Sequence, residues 1–218
     1  DVYSDMAIDS IYVYDITPPE TLPYTESFED ADPANWGGWT QASDDNFDWT
    51  QDTGKTPSGY TFGGNLLTGP YRATHGSYYL FTEADGNYPN NMAALESPIY
   101  DLTGVSKGYF DLDYSMNTSF GSFLKIYIEA PAGCGTWTKI WEREHNDQDT
   151  TWYTASAEIS DYAGMEVKFR IEGKMGSGSS TSPGYYAADL AIDNVHIYEV
   201  TGTYPLTYSE SYESGLGN

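Results

Sequence analysis

Carboxylates are the chemistry-bearing residues of this chain, and two of them occur in segments written twice. Glu29 closes Tyr24-Thr25-Glu26-Ser27-Phe28-Glu29, which returns as Tyr208-Ser209-Glu210-Ser211-Tyr212-Glu213. Asp193 lies in Asp189-Leu190-Ala191-Ile192-Asp193-Asn194-Val195-His196-Ile197-Tyr198-Glu199, matched upstream by Asp5-Met6-Ala7-Ile8-Asp9-Ser10-Ile11-Tyr12-Val13-Tyr14-Asp15. Both matches hold one offset of 184 residues. Carboxylates gathered in this way suit calcium, which takes roughly six to eight hard oxygens from carboxylates and carbonyls. If the strand that opens the unit lies beside the strand that closes it, Glu29 and Asp193 meet. Asp48, within Asp44-Asp45-Asn46-Phe47-Asp48, is the third candidate ligand, with Asp30 and Asp45 behind it. A structural calcium is therefore expected. The competing reading is that Glu29 and Asp193 accept backbone N–H bonds and hold the two strands without metal.

Other constellations do not assemble. His75, His145 and His196 fall on a turn, a loop and a strand, and His196 is Tyr12 in the earlier copy. No zinc-ligand spacing, nucleophile elbow or phosphate loop is present. Carboxylate pairs of the glycosidase kind carry no weight among 33 acidic residues. Cys134, in Gly133-Cys134-Gly135, has no activating neighbour, and as the only cysteine it forms no intrachain disulfide. The chain is therefore expected not to be an enzyme.

Charge narrows the partners. Nine Lys and Arg against 33 Asp and Glu give a formal charge of -24, which is wrong for nucleic acid or anionic lipid. No apolar run approaches the length of a membrane span, so no membrane insertion is expected. Twenty-one tyrosines, six tryptophans and 22 glycines suit an exported β-rich protein.

The elements that must position the acids read as strands. Phe110, Leu112, Tyr114 and Met116 alternate with Asp111, Asp113 and Ser115; Leu124, Ile126 and Ile128 alternate with Lys125 and Tyr127; Val167, Phe169 and Ile171 alternate with Lys168 and Arg170. Such period-two patterning marks strands with one buried face. Turn clusters separate them, and no amphipathic helix is found. The expected fold is all-β, an antiparallel β-sandwich of jelly-roll type. Leu190 and Ile192 share one phase while Val195 and Ile197 share the other. That slip predicts a β-bulge at Asp193-Asn194.

A period of 184 residues is too long for a short-repeat solenoid and implies a self-sufficient domain in a tandem array. Residues 1–19 read as the closing strand and linker of a preceding repeat, 20–202 as the complete one, and 203–218 as the opening strand of the next. Pro18-Pro19 gives a stiff joint. The expected partners are neighbouring copies, head to tail, and a protein or glycan surface.

Several segments resemble a MAM domain, a family of extracellular jelly rolls. They are Ser27-Phe28-Glu29-Asp30, Trp39-Thr40-Gln41, Asp45-Asn46-Phe47-Asp48-Trp49-Thr50, Gly69-Pro70, Ser77-Tyr78-Tyr79-Leu80-Phe81, Ala94-Leu95-Glu96-Ser97-Pro98 and Leu190-Ala191-Ile192-Asp193-Asn194-Val195. Trp141 and Trp152 sit where the family places tryptophans. The chain is similar, too, to cleaved-adhesin jelly rolls that accompany bacterial proteases. The resemblance implies adhesion without catalysis, a cell-surface and bacterial setting, and a structural calcium. Two departures stand out: the paired cysteines are absent, and the family's second closing-strand aspartate is Asn194.

The alternative function is a carbohydrate-binding accessory domain of a secreted hydrolase. It would stack sugars on Trp36, Trp39, Tyr60, Tyr71, Tyr78 and Tyr79. Core packing is the competing role for these rings.

Overall fold

A computed structural model describes residues 17–57, 68–83, 90–116, 122–144, 150–176 and 189–201. Twelve strands run through these residues: β1 (Tyr24–Glu26), β2 (Thr40–Gln41), β3 (Thr50–Asp52), β4 (Tyr79–Thr82), β5 (Met92–Glu96), β6 (Tyr100–Asp101), β7 (Gly108–Met116), β8 (Phe123–Glu129), β9 (Trp137–Glu144), β10 (Tyr153–Glu158), β11 (Glu166–Lys174) and β12 (Leu190–Glu199). Helix among them is limited to single 3-10 turns at Pro33–Asn35 and Ser160–Tyr162. Of the repeat segments expected at 1–19 and 203–218, residues 1–16 and all of 203–218 lie outside the described residues, as do Tyr60 and His145.

Alternation in sequence becomes a two-layer core. The first sheet runs β10-β7-β12-β4-β3, with β1 also paired to β12, and the second runs β2-β5-β11-β8-β9, with β6 on β11. Every strand pair is antiparallel, as expected from one wet and one dry face. Phe110, Leu112, Met116, Leu124, Ile126, Ile128, Phe169, Ile171, Leu190, Ile192, Val195 and Ile197 fill the space between the sheets. Each such side chain contributes about 1.5–3 kcal/mol of transfer free energy. Phe110 and Phe169 join the layers at 4.7 Å between ring centroids.

Strand β12 is the seam of the first sheet. Its edge away from β7 is covered by two short strands in series: β4 against Leu190–Ile192, then β1 against Val195–Ile197. The bulge expected at Asp193-Asn194 falls in the gap between them. On the other edge, Asp193 faces Asp113 and His196 faces Asp111, so β12 carries one extra residue. Asn194 takes φ +50, a left-handed conformation that asparagine tolerates far better than branched residues do. Its side-chain amide donates to Asp113 Oδ2 at 3.1 Å. That contact gives a physical reason for asparagine at this place, since an aspartate would set like charge against Asp113.

Several tyrosines are held in environments that oppose ionisation. Burial, with the Glu26 charge behind it, pushes the Tyr24 phenol from near 10 up to about 12. Burial and the neighbouring Glu172 push Tyr127 to about 12 as well. Tyr79 and Tyr100 are raised in the same direction, mainly by burial. The unfolded chain then releases phenolic protons at a lower pH than the folded one. Stability should be intact below pH 10 and decline as pH rises from 10 towards 12. Denaturant midpoints across that range, read beside phenolate absorbance, check this; phenols titrating at their ordinary value in the folded domain would contradict it.

Candidate functional site

The two repeated acids converge on one loop. Residues 74–78 lead into β4, and Asp193 and Glu29 grip this segment from its two ends. Asp193 Oδ2 accepts from Thr74 N at 2.8 Å, Thr74 Oγ1 at 2.9 Å and His75 N at 3.0 Å. Its Oδ1 accepts from Asn194 N at 2.7 Å. Glu29 takes the other end: Ser77 N lies 3.0 and 2.9 Å from its two oxygens, and Tyr78 N lies 2.8 Å from Oε1. Gly76 stands between the two grips at φ +66. A Cβ there would lie 2.3 Å from the Glu29 carboxyl carbon, so only glycine lets the acid approach.

Environment separates the pair. Asp193 is wholly buried, and burial pushes its carboxyl above the ordinary range although four donors act in the other direction. Glu29 is exposed. The loop they hold follows Ala73, which packs on the first sheet's outer face. There Tyr79, Phe81 and Ala191 form a small second core with Ala73 and Trp152. Trp152 donates Nε1–H to Arg72 O at 2.8 Å and meets the Tyr79 ring edge-on at 5.8 Å.

The remaining candidate acids lie elsewhere. Asp30 organises the turn after β1, accepting from Asp32 N at 2.9 Å and Asn35 Nδ2 at 3.1 Å. Asp45 belongs to the second sheet, where Oδ2 accepts from Ala94 N at 2.7 Å. Asp48 is exposed on the same crossing segment. That segment is drawn to β5 by Asn46 N donating to Met92 O, which carries Asp45 and Asp48 away from Asp193. Of the five acids, Glu29 and Asp193 alone hold the same loop; among the described residues no group of three or more His, Cys, Asp or Glu gathers to hold a metal.

Other residues with structural roles gave little signal in the sequence. Glu129 is buried and accepts from Gly133 N at 2.9 Å and Gly135 N at 2.6 Å, closing the turn that carries exposed Cys134. Gln41 holds Trp49 through both its backbone groups. Arg170, 4% exposed, bonds Asp44, Glu96 and Glu172 on the second sheet's outer face. The glycines flanking Cys134 are the only hint of the first, and the partners of the others leave no periodic mark in the sequence.

The aromatic candidates divide. Trp36, Trp39 and Tyr79 are buried, Tyr78 is partly so, and Tyr71 is 64% exposed. A different line of rings stands on the first sheet's open half: Tyr109, Tyr198 and His196. They stack at 5.7 Å and 4.4 Å with interplanar angles of 24° and 17°, and Lys107 caps Tyr109. Stacked face to face, these rings cover one another. The acids among them are engaged as well: Asp111 accepts from Ser156 and Tyr198, Asp113 from Thr154 and Asn194.

With a two-sheet antiparallel sandwich and its clamped loop in view, the class is a jelly-roll domain. The model of the MAM domain, meprin/A5/mu, matches residues 27–201, and the chain belongs to that family. Among solved structures, the K2 cleaved adhesin domain of Lys-gingipain is similar at 17% identity, covering 80% of this chain and 98% of that one, with a TM-score of 0.51. The K1 cleaved adhesin domain from Porphyromonas gingivalis W83 matches at 17% identity over 81% and 98%, TM-score 0.49. The CBM22-2 xylan-binding domain from Paenibacillus barcinonensis Xyn10C matches at 10% over 81% and 99%, TM-score 0.45. Among the described residues no helix is long and apolar enough to cross a membrane.

The clamp makes unequal demands of its members. Asp193→Ala removes the buried acceptor of four part-buried bonds and should cost about 3 kcal/mol, whereas exposed Glu29→Gln should cost about 1 kcal/mol. Gly76→Ala adds a left-handed alanine and a clash, worth about 1–3 kcal/mol. Urea midpoints at unchanged slope rank the three; equal, negligible shifts would remove the clamp from the account.

Proposed function

We propose that this MAM-family domain is one unit of a tandem array in an exported surface protein, acting through adhesion and reach and without catalysis. The observation that carries this reading is where the repeated blocks fall. They include β1 and all of β12, which are hydrogen-bonded neighbours, and this reading makes them the opening and closing strands of a single sandwich. Copies at 5–15 and 208–213 are what the adjoining ends of neighbouring units would supply, with 20–202 as the unit between them. Similar beads extend reach, with Pro18-Pro19 as a stiff joint on the upstream side, and copies bound together add avidity.

A bacterial cell-surface setting belongs to the same reading. The cleaved adhesin domain of Lys-gingipain has a similar sandwich, and a lone exposed cysteine leaves stability to the core. The carbohydrate-accessory alternative needs ring faces open to solvent. Its best line of aromatics, Tyr109-Tyr198-His196, is stacked upon itself, which favours the adhesive reading over the sugar-binding one. Limited proteolysis of the intact surface protein tests the array. Fragments should step by one unit of 184 residues; a single protected fragment with unrelated flanks would end the proposal.

Calcium is the second part of the reading, with Glu29 and Asp193 as its carboxylates. Their oxygens accept N–H and O–H bonds from the loop and the bulge, so an ion bound there would take the place of some of those donors between β1, β12 and the loop. Calcium at about a hundred times its dissociation constant would stabilise the fold by about 2.7 kcal/mol, lost on chelation. A melting temperature indifferent to chelator would leave the carboxylates holding the loop by hydrogen bonds alone.

A further inference from the structure

Resting on the array reading, we propose that the β1 seat on β12 is exchangeable: the opening strand of the following repeat, Tyr208–Glu213, can occupy it. The seat is short and open to substitution. Its register is Tyr24 to Ile197, Thr25 to His196 and Glu26 to Val195, three residues in all, on an edge that no other described strand covers. Beyond the register the strand contributes Phe28 to the core and Glu29 to the loop clamp. Residues 208–213 lie outside the described residues, but their sequence supplies the same parts in the same order: Tyr208, Ser209 and Glu210 for the register, Tyr212 for Phe28, Glu213 for Glu29.

Chain length favours the newcomer. Ten residues separate Ile197 from Tyr208, whereas 172 separate Tyr24 from Ile197. With closure probability falling as the -3/2 power of loop length, the downstream copy reaches β12 at roughly 70-fold higher effective concentration while the chain folds. Side chains favour the resident. Phe28 is fully buried, edge-on to Trp36 at 5.8 Å and Trp39 at 6.3 Å, and Tyr212 would carry a hydroxyl into that pocket. These opposed preferences make the seat a two-state joint. Each exchange would let one repeat's closing strand grip the next repeat's opening strand, linking beads through a sheet as well as a linker.

Disulfide trapping decides it, in the 218-residue chain with Cys134→Ser to remove the native thiol. Residues directly opposed across antiparallel strands lie within disulfide reach. Thr25→Cys with His196→Cys reports the resident strand, and Ser209→Cys with His196→Cys reports the exchanged one. Both pairs should oxidise within the monomer, and adding Tyr212→Phe should raise the second yield several-fold. If the first pair closes fully while the second stays reduced, with or without Tyr212→Phe, exchange does not occur. That result would leave the proteolytic ladder, and so the array, untouched.

Discussion

A ten-residue strand that changes partners halfway along one edge is the constraint on which this domain rests. Strand β12 is hydrogen-bonded to β7 along one side, but β4 and β1 divide the other, leaving Asp193 and Asn194 between them. Unpaired backbone at such a break would be costly if buried, because a lost hydrogen bond there is not replaced by water. The bulge at Asn194 and the inward-held carboxylate of Asp193 resolve this together. Backbone that the strands leave over is joined to the loop entering β4, and Glu29 finishes the same loop from the end of β1. The second sheet meets the same problem on β11, where β5 and β6 lie in series. There a serine suffices: Ser97 N donates to Phe169 O at 2.9 Å, and Ser97 Oγ accepts from Phe169 N at 2.8 Å.

The acidity of the chain takes on a structural meaning once the acceptors are followed. Carboxylates close turns and strand ends throughout: Glu26 on Phe28, Asp32 on Ala34, Asp52 on Thr53, Asp101 on Thr103, Glu129 on Gly133 and Gly135, Glu199 on Ser106. A charged acceptor makes a stronger bond to N–H than a neutral one does. In a fold built largely from turns, with no disulfide and little helix, an excess of acid over base follows from this use. Cations are placed sparingly, and Arg170 shows how: one nearly buried guanidinium holds three acids on the second sheet.

What was legible beforehand followed from period and repetition. Alternation at Phe110–Met116 and Leu124–Ile128 made strands because each such residue faces one interior, and the phase slip around Asp193 located the bulge directly. That Glu29 and Asp193 share a structural neighbourhood was readable because both lie in the repeated blocks, yet they hold opposite ends of one loop rather than each other. Their chemistry was less so, since a carboxylate has the same appearance in sequence whether it faces an ion or an amide. Asp30, Asp45 and Asp48 were grouped with them by proximity in sequence. Asp30 is taken up by its own turn, and Asp45 and Asp48 lie on a segment whose Ala42 and Asn46 bond to β5, in the sheet opposite β12. Glu129 and Gln41 gave no periodic signal at all, because their partners are local turns or a neighbouring crossing.

Repetition and the seam are two views of one requirement. A domain in an array must close upon itself at the point where its neighbour begins, or sheets run on into aggregates. Here the closing strand carries the bulge and the acid that end its pairing with β4, and the opening strand carries the acid that finishes the loop. Both halves of that closure recur at the same spacing, whereas Asn194 becomes Ser10 and His196 becomes Tyr12. What the copies keep, then, is the carboxylate pair and the apolar phases, while half-buried Asn194 and His196 and buried Phe28, which is Tyr212 in the later copy, vary. On the proposed array reading, the acids that hold the loop entering β4 are the part of the seam that the two copies share.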